Sequence, residues 1–157
     1  LGVGDLRLTQ SLAIIDWLDA TYAEPRLIPA DAAARSAELA KAMVIAADIH
    51  PINNLRILKY LKNELGQAQA EIDQWARHWI IEGFTALEAM ANPAKPFLSG
   101  DAPGLADVFL VPQMANARRV ATPLDAFPTL VAIDARATAL EPFARAHPDA
   151  VKPARYD

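Results

Sequence analysis

A chain of 157 residues with 53% apolar content can bury one real core, and a formal net charge of −4 excludes the basic surface that neutralises nucleic-acid phosphates. The absence of cysteine excludes a disulfide framework, a thiolate nucleophile and a cysteine-based zinc site, so any sulfur chemistry must come from a bound ligand. No apolar run approaches the roughly 20 residues needed to cross a bilayer and no charged-then-apolar leader opens the chain, so the expectation is a cytoplasmic protein with neither nucleic acid nor membrane as partner.

Taken in chain order, Leu1 to Asp5 read as the middle of a hairpin, with a Gly4–Asp5 turn leading into a short strand through Leu6, Arg7, Leu8 and Thr9. A lone two-stranded hairpin is marginal in water, and a start at Leu1 rather than Met suggests truncation. From Ser11, the residues Leu12, Ile14, Ile15, Leu18 and Tyr22 fall at three- and four-residue spacings and predict a short helix. Pro25 and Pro29 then interrupt helical geometry, so residues 23–30 are the expected linker between a first unit, 1–22, and an all-helical unit, 31–157.

Asp31 can start a helix that runs through Ala40, Met43, Val44 and Ala47 to about His50, where Pro51 kinks or restarts it. Leu55, Leu58 and Leu61 continue an apolar seam as far as Gly66, a natural helix stop. The next helix carries Ile72, Trp75, Trp79, Ile80, Phe84 and Leu87, and its length and aromatic load make it the expected centre of the core. After a loop marked by Pro93, Pro96, Gly100, Pro103 and Gly104, helices are expected from Leu105 to about Val120, over Thr129–Leu140 and over Pro142–His147, followed by a polar tail. The fold class is mainly α: a helical bundle attached to the remnant of an α/β unit.

Several side chains invite a functional reading beside a structural one. Ser11 opens a helix, where free backbone amides and the helix dipole favour an anion and a hydroxyl adds a donor; on spacing alone, Thr9 or Ser11 equally reads as a helix cap. His50 precedes a proline at a helix break, yet a single histidine is ordinarily a satisfied structural residue. Arg118 and Arg119 end a helix, where cations are common for dipole reasons, but the planar fork of either one suits a carboxylate. Asp107, near a helix start, reads as structural because its carboxylate can accept from backbone amides. Trp75 and Trp79 read as core, and no His/Asp/Glu grouping has metal-ligand spacing.

Three stretches together carry a family resemblance. Leu8 to Leu18, reading LTQSLAIIDWL, resembles the strand-to-helix junction of glutathione transferases; Asp48 to Arg56, DIHPINNLR, is similar to the segment that sets the zeta class apart; and Phe97 to Asp107, FLSGDAPGLAD, followed by Leu110 to Gln113, LVPQ, looks like the folding motif of the transferase helical domain. The resemblance covers the chain from Leu1 to the tail. It implies the C-terminal helical bundle of a glutathione transferase, preceded by the last hairpin and helix of a thioredoxin-like domain.

The same resemblance implies glutathione as cofactor and cis–trans isomerisation of maleylacetoacetate to fumarylacetoacetate in aromatic amino acid catabolism. Maleylpyruvate isomerisation, or a general transferase activity, is the alternative, and a non-enzymatic helical interaction module is a third reading that the glutathione residues argue against. Gln10 and Ser11 are then implied to hold the γ-glutamyl carboxylate; His50, Asn54, Leu55 and Arg56 to lie near glutathione, the last three partly across a homodimer interface; and Arg119, with His50, to engage the maleyl keto acid.

Two departures from the family pattern stand out. The serine-rich motif that activates the thiol lies outside this sequence, so no catalytic residue is assigned and the chain by itself is expected to bind glutathione weakly without turnover. Gly104 stands where family members place serine or threonine, leaving only the Asp107 half of a capping box.

Overall fold

The computed structural model describes residues 1–22 and 24–151; Ala23, the first residue of the expected linker, and residues 152–157, the end of the polar tail expected after His147, lie outside the described residues. The only sheet among the described residues is an antiparallel pair, β1 (Gly2–Val3) and β2 (Leu6–Arg7), with Gly2 opposite Arg7 and Val3 opposite Leu6. The turn between them places Gly4 at φ 56°, a conformation that costs glycine nothing.

Helix α1 (Ser11–Thr21) follows, and then the bundle: α2 (Ala32–Met43), a π-helical turn (Val44–Ile49), α3 (His50–Asn53), α4 (Leu55–Asn63), α5 (Gln69–Met90), α6 (Leu105–Arg119), α7 (Pro128–Thr138), α8 (Glu141–Ala146) and α9 (Pro148–Val151). Helix α5 is the axis of the core. Ile80, Phe84 and Leu87 pack with Ile45 and Ile49 of the π turn, Leu110 and Met114 of α6, and Leu130 and Ile133 of α7. Phe84 meets Phe127 edge to face, with ring centroids 5.6 Å apart.

The expected linker is irregular, but it is not a free tether. Ile28 is fully buried with Ala42 and Leu105, and Leu12 and Ile15 of α1 pack against that cluster. Asp19 of α1, itself buried, accepts from the amides of Leu27 and Ile28, while the Leu27 carbonyl accepts from the Leu105 amide at 3.0 Å. One chain of polar contacts thus fixes α1 to the start of α6.

The ends of the later helices lie within two residues of the sequence expectation and α9 opens the expected tail, but the helix boundaries around Pro51 differ more. The helix from Ala32 does not run as a regular α-helix to His50; it widens into the π turn, and the His50 amide donates to the Ile45 carbonyl. Pro51 explains this, because it has no amide to close an α-turn and its ring needs room against the preceding carbonyls. The break itself falls at Asn54 rather than at Pro51, which sits in the first turn of α3, where proline is tolerated. Asn54 is extended (φ −75°, ψ 163°), and its side chain accepts from the amides of Arg56 and Ile57 at 3.1 and 3.4 Å, capping α4. His50 therefore opens α3, and Asn54 is the N-cap of α4.

The N-cap of α6, Gly104, has no side chain, and the amides around it are taken up by Asp107 from within α6 and by Glu38 from α2. Asp107 Oδ2 accepts from the amides of Gly104 (3.0 Å) and Ser99 (3.1 Å), and its Oδ1 from that of Leu98 (2.7 Å). Glu38 Oε1 accepts from the Ala106 amide at 2.7 Å and from the Ser99 hydroxyl. A Cβ at position 104 would lie 2.6 Å from Ser99 Oγ and 2.9 Å from Glu38 Oε1, so glycine is the residue that lets these groups close in.

Candidate functional site

Local geometry at the start of α1 is unusual. Gln10 adopts φ 68°, ψ 125°, a region that side-chain sterics disfavour, and such conformations persist where the surrounding structure enforces them, often at ligand sites. No side chain caps α1 and no acidic residue lies in its first turn, whereas α2 is capped by Asp31 and α4 by Asn54. The amide-rich end of α1 is left for another anion.

That end opens onto a cleft of about 1110 Å³ between α1, α2 with the π turn, α3 and α6. Its polar lining comes from Gln10, Ser11, Asp16 and Arg35, from His50, Asn53 and Asn54, and from Gln113 and Asn116 of α6. Leu12, Ile15, Leu39, Met43 and Phe109 supply apolar wall. The His50 side chain makes no hydrogen bond to any described residue and is exposed to the cleft, leaving both ring nitrogens for a ligand.

Of the residues singled out from sequence, Gln10, Ser11, His50, Asn54 and Leu55 line this one cleft. Arg56 does not: its backbone amide belongs to the Asn54 cap, and its side chain is exposed on α4. Arg119 is not part of the lining either, but its Nε and Nη2 donate to Asn116 Oδ1 at 3.2 and 2.7 Å, which hooks the guanidinium onto a residue that is. Its neighbour Arg118 is committed elsewhere, to Asp134 Oδ2 at 2.6 Å. Asp107 lies under the α6 start as a buried carboxylate and takes no part in the cleft.

Sequence reasoning passed over Arg35, Asn53, Gln113 and Asn116. Arg35 lines the cleft and pairs with Asp16 of α1 at 2.8 Å. Asn53 and Gln113 stood inside the quoted HPINN and LVPQ runs, while Asn116 is signalled only by lying one turn from both Gln113 and Arg119. Among the described residues no group of histidine and carboxylates is placed to hold a metal, and no helix is long and apolar enough to cross a membrane.

Chemically, the cleft can hold an anion at the α1 start, offers an imidazole and several amides along its polar sides, and keeps cationic groups at its edges. No family model matches the chain. It is similar to a probable maleylacetoacetate isomerase of Vibrio cholerae, with 51% identity over 147 residues that span 93% of this chain and 68% of that protein. Among solved structures, it superposes on a holo maleyl pyruvate isomerase described as a bacterial zeta-class glutathione S-transferase, with a TM-score of 0.94 at 43% identity, covering 98% of this chain and 74% of that one. It also superposes on a maleylacetoacetate isomerase from Anaeromyxobacter dehalogenans that holds dicarboxyethyl glutathione and citrate in its active site, with a TM-score of 0.89 at 37% identity and coverage of 99% and 70%.

Proposed function

The chain belongs to the zeta-class glutathione transferases, the family of maleylacetoacetate and maleylpyruvate isomerases, and from that premise we propose that its cleft serves glutathione-dependent cis–trans isomerisation of a maleyl keto acid. Maleylacetoacetate is the preferred substrate reading and maleylpyruvate its alternative. The observation that carries the proposal is the convergence on one cleft of an uncapped helix start at Gln10–Ser11 with His50 and Asn54, which are distant in sequence.

Glutathione fits this site, because the free amides and hydroxyl at the α1 start suit its γ-glutamyl carboxylate and the cleft has room for a peptide-sized ligand beside a substrate. When bound, glutathione supplies a thiolate that adds reversibly to the cis double bond, leaves a single bond free to rotate, and departs unchanged. The residues of this chain orient and stabilise. Gln10 and Ser11 anchor one end, and the His50 ring donates or accepts beside them. The substrate carries two carboxylates and gains negative charge on its carbonyl oxygen during addition, so Arg119, held at the cleft by Asn116, is the group we assign to a substrate carboxylate. Leu12, Ile15 and Phe109 exclude water around these contacts and strengthen them.

We place the thiol-activating group outside these 157 residues, so the chain alone should bind glutathione weakly without turnover. We also propose a division into a glutathione-binding unit at 1–22, a linker at 23–30 and a helical unit at 31–157, with a cytoplasmic homodimer as the working form. Exposed Met43, Leu55 and Tyr60 support an interface over α2 to α4, since one bundle leaves their apolar surface uncovered.

Steady-state kinetics of the full-length protein, with each substrate varied in turn, test the assignment. Arg119→Ala should lower kcat/KM for the maleyl acid by about one to two orders of magnitude, the loss of a charge-assisted contact of about 1.5–3 kcal/mol, with only partial rescue by Arg119→Lys. Ser11→Ala should instead raise the KM for glutathione. Unchanged turnover of the maleyl acid by Arg119→Ala would reduce that arginine to a helix-end counter-charge.

A further inference from the structure

We propose that Gln113 is a substrate-binding residue that donates its side-chain amide to a carbonyl oxygen of the keto-acid chain; the assignment rests on the isomerase reading above. Gln113 is 4% exposed, lines the cleft from α6, and its Nε2 has no hydrogen-bond partner among the described residues. Asn53 of α3, which lines the same cleft, is 7% exposed and repeats the pattern: its Nδ2 donates to the Ala76 carbonyl at 3.3 Å, which identifies Oδ1 as the unpartnered end. Buried amides left unpaired are destabilising, and two of them around one cleft signal groups kept for a partner that arrives with the ligand. The other unpartnered atoms, on Trp79, Thr122 and Asp134, belong to residues that do not line the cleft.

The chemistry of the two amides narrows what that partner is. The γ-glutamyl carboxylate of glutathione is assigned to the α1 start, and one of the two substrate carboxylates to Arg119. The second substrate carboxylate only accepts and cannot pair with the Asn53 Oδ1 acceptor, so the part of either maleyl substrate that offers both an acceptor and a donor is the 1,3-dicarbonyl unit beside the double bond. In its enol form this unit carries one oxygen that accepts and one hydroxyl that donates. A donor from Gln113 and an acceptor from Asn53 match that pair, whereas a purely apolar wall would leave both oxygens desolvated and unpaired. A neutral donor at the carbonyl oxygen also stabilises the charge that develops there during addition.

The test uses the full-length protein and the variant Gln113→Met, which keeps the length of the side chain and removes its polar end. Melting temperature without ligand should hold or rise, because an unpaired buried amide is lost. The KM for glutathione should stay within about twofold, while kcat/KM for the maleyl acid should fall about tenfold. Gln113→Glu, similar in shape but a repelling acceptor, should lower kcat/KM further than Gln113→Met. A lower melting temperature with full kcat/KM in Gln113→Met would make the amide a structural group bridged by water and overturn the assignment. Full kcat/KM in Gln113→Glu would overturn it as well. Wild-type turnover separates this idea from the one beneath it: an inactive wild type removes the isomerase reading itself, whereas an active wild type with an unaffected Gln113→Met removes only the role of Gln113.

Discussion

In residues 1–22 the one buried side chain is a carboxylate, Asp19, and Leu1, Val3, Leu6, Leu18 and Tyr22 are exposed; α5 alone buries Ile72, Ala76, Ile80, Phe84 and Leu87. The bundle is thus held by a core of its own, while the N-terminal segment is held by docking, through Asp19 to the 27–28 backbone and through the half-buried Leu12 and Ile15 to the cluster around Ile28. The difference matters because the cleft runs along the seam between them. The rigid walls come from α2, α3 and α6, and the uncapped helix start comes from the segment with the smaller stake in the core.

The contrast predicts where substitutions do the most damage. Asp107→Ala strips three backbone amides at the α6 start of their acceptor, and should cost about 3–5 kcal/mol, read as a lower urea midpoint for the whole bundle by tryptophan fluorescence. If the loss were under about 1 kcal/mol, the buried polar cluster would not be what anchors α6 to the bundle. Gly104→Ser comes next. A serine there would be a better helix cap by about 1 kcal/mol, but its Cβ would lie 2.8 Å from Ser99 Cβ as well as against Ser99 Oγ, so a net loss of about 1–3 kcal/mol is expected, partly relieved in the double variant with Ser99→Ala. A stabilised Gly104→Ser would show that the neighbouring groups shift easily. The smallest effect should come from Asp19→Ala, about 1–2 kcal/mol, confined to the seam: amide exchange should speed up in α1 while α5 keeps its protection. Equal acceleration in both helices would erase the distinction between a docked segment and a self-supporting bundle.

Much of this organisation was legible in residue order. The periodicity of Ile72 to Leu87 marked the central helix, and the QS pair after a short strand marked the start of α1, because both signals depend only on neighbours a turn or two away. The π turn was less legible: Pro51 announced a disturbance, but its place was settled by how the preceding turn could close, and the helix break moved on to Asn54.

Glu38 shows where local reading stops. It lies on an alanine-rich helix beside Leu39 and reads as solvated, yet it is 3% exposed, because α6 places its unpaired Ala106 amide against it. Arg118 and Arg119 make the same point at the cleft. They are adjacent residues of one type, and nothing in their order distinguishes them; the roughly 100° turn between successive helical positions sends one to Asp134 on α7 and the other to Asn116 at the cleft. Helix identity and the three family stretches were thus determined by the sequence itself, because hydrophobic period and end signals are short-range. The pairing of Glu38 with α6, the commitment of Arg118 to Asp134 on α7, and the unpartnered amides of Gln113 and Asn53 were decided only by tertiary packing, because whether a polar group finds water, a partner or neither depends on which helix comes to lie against it.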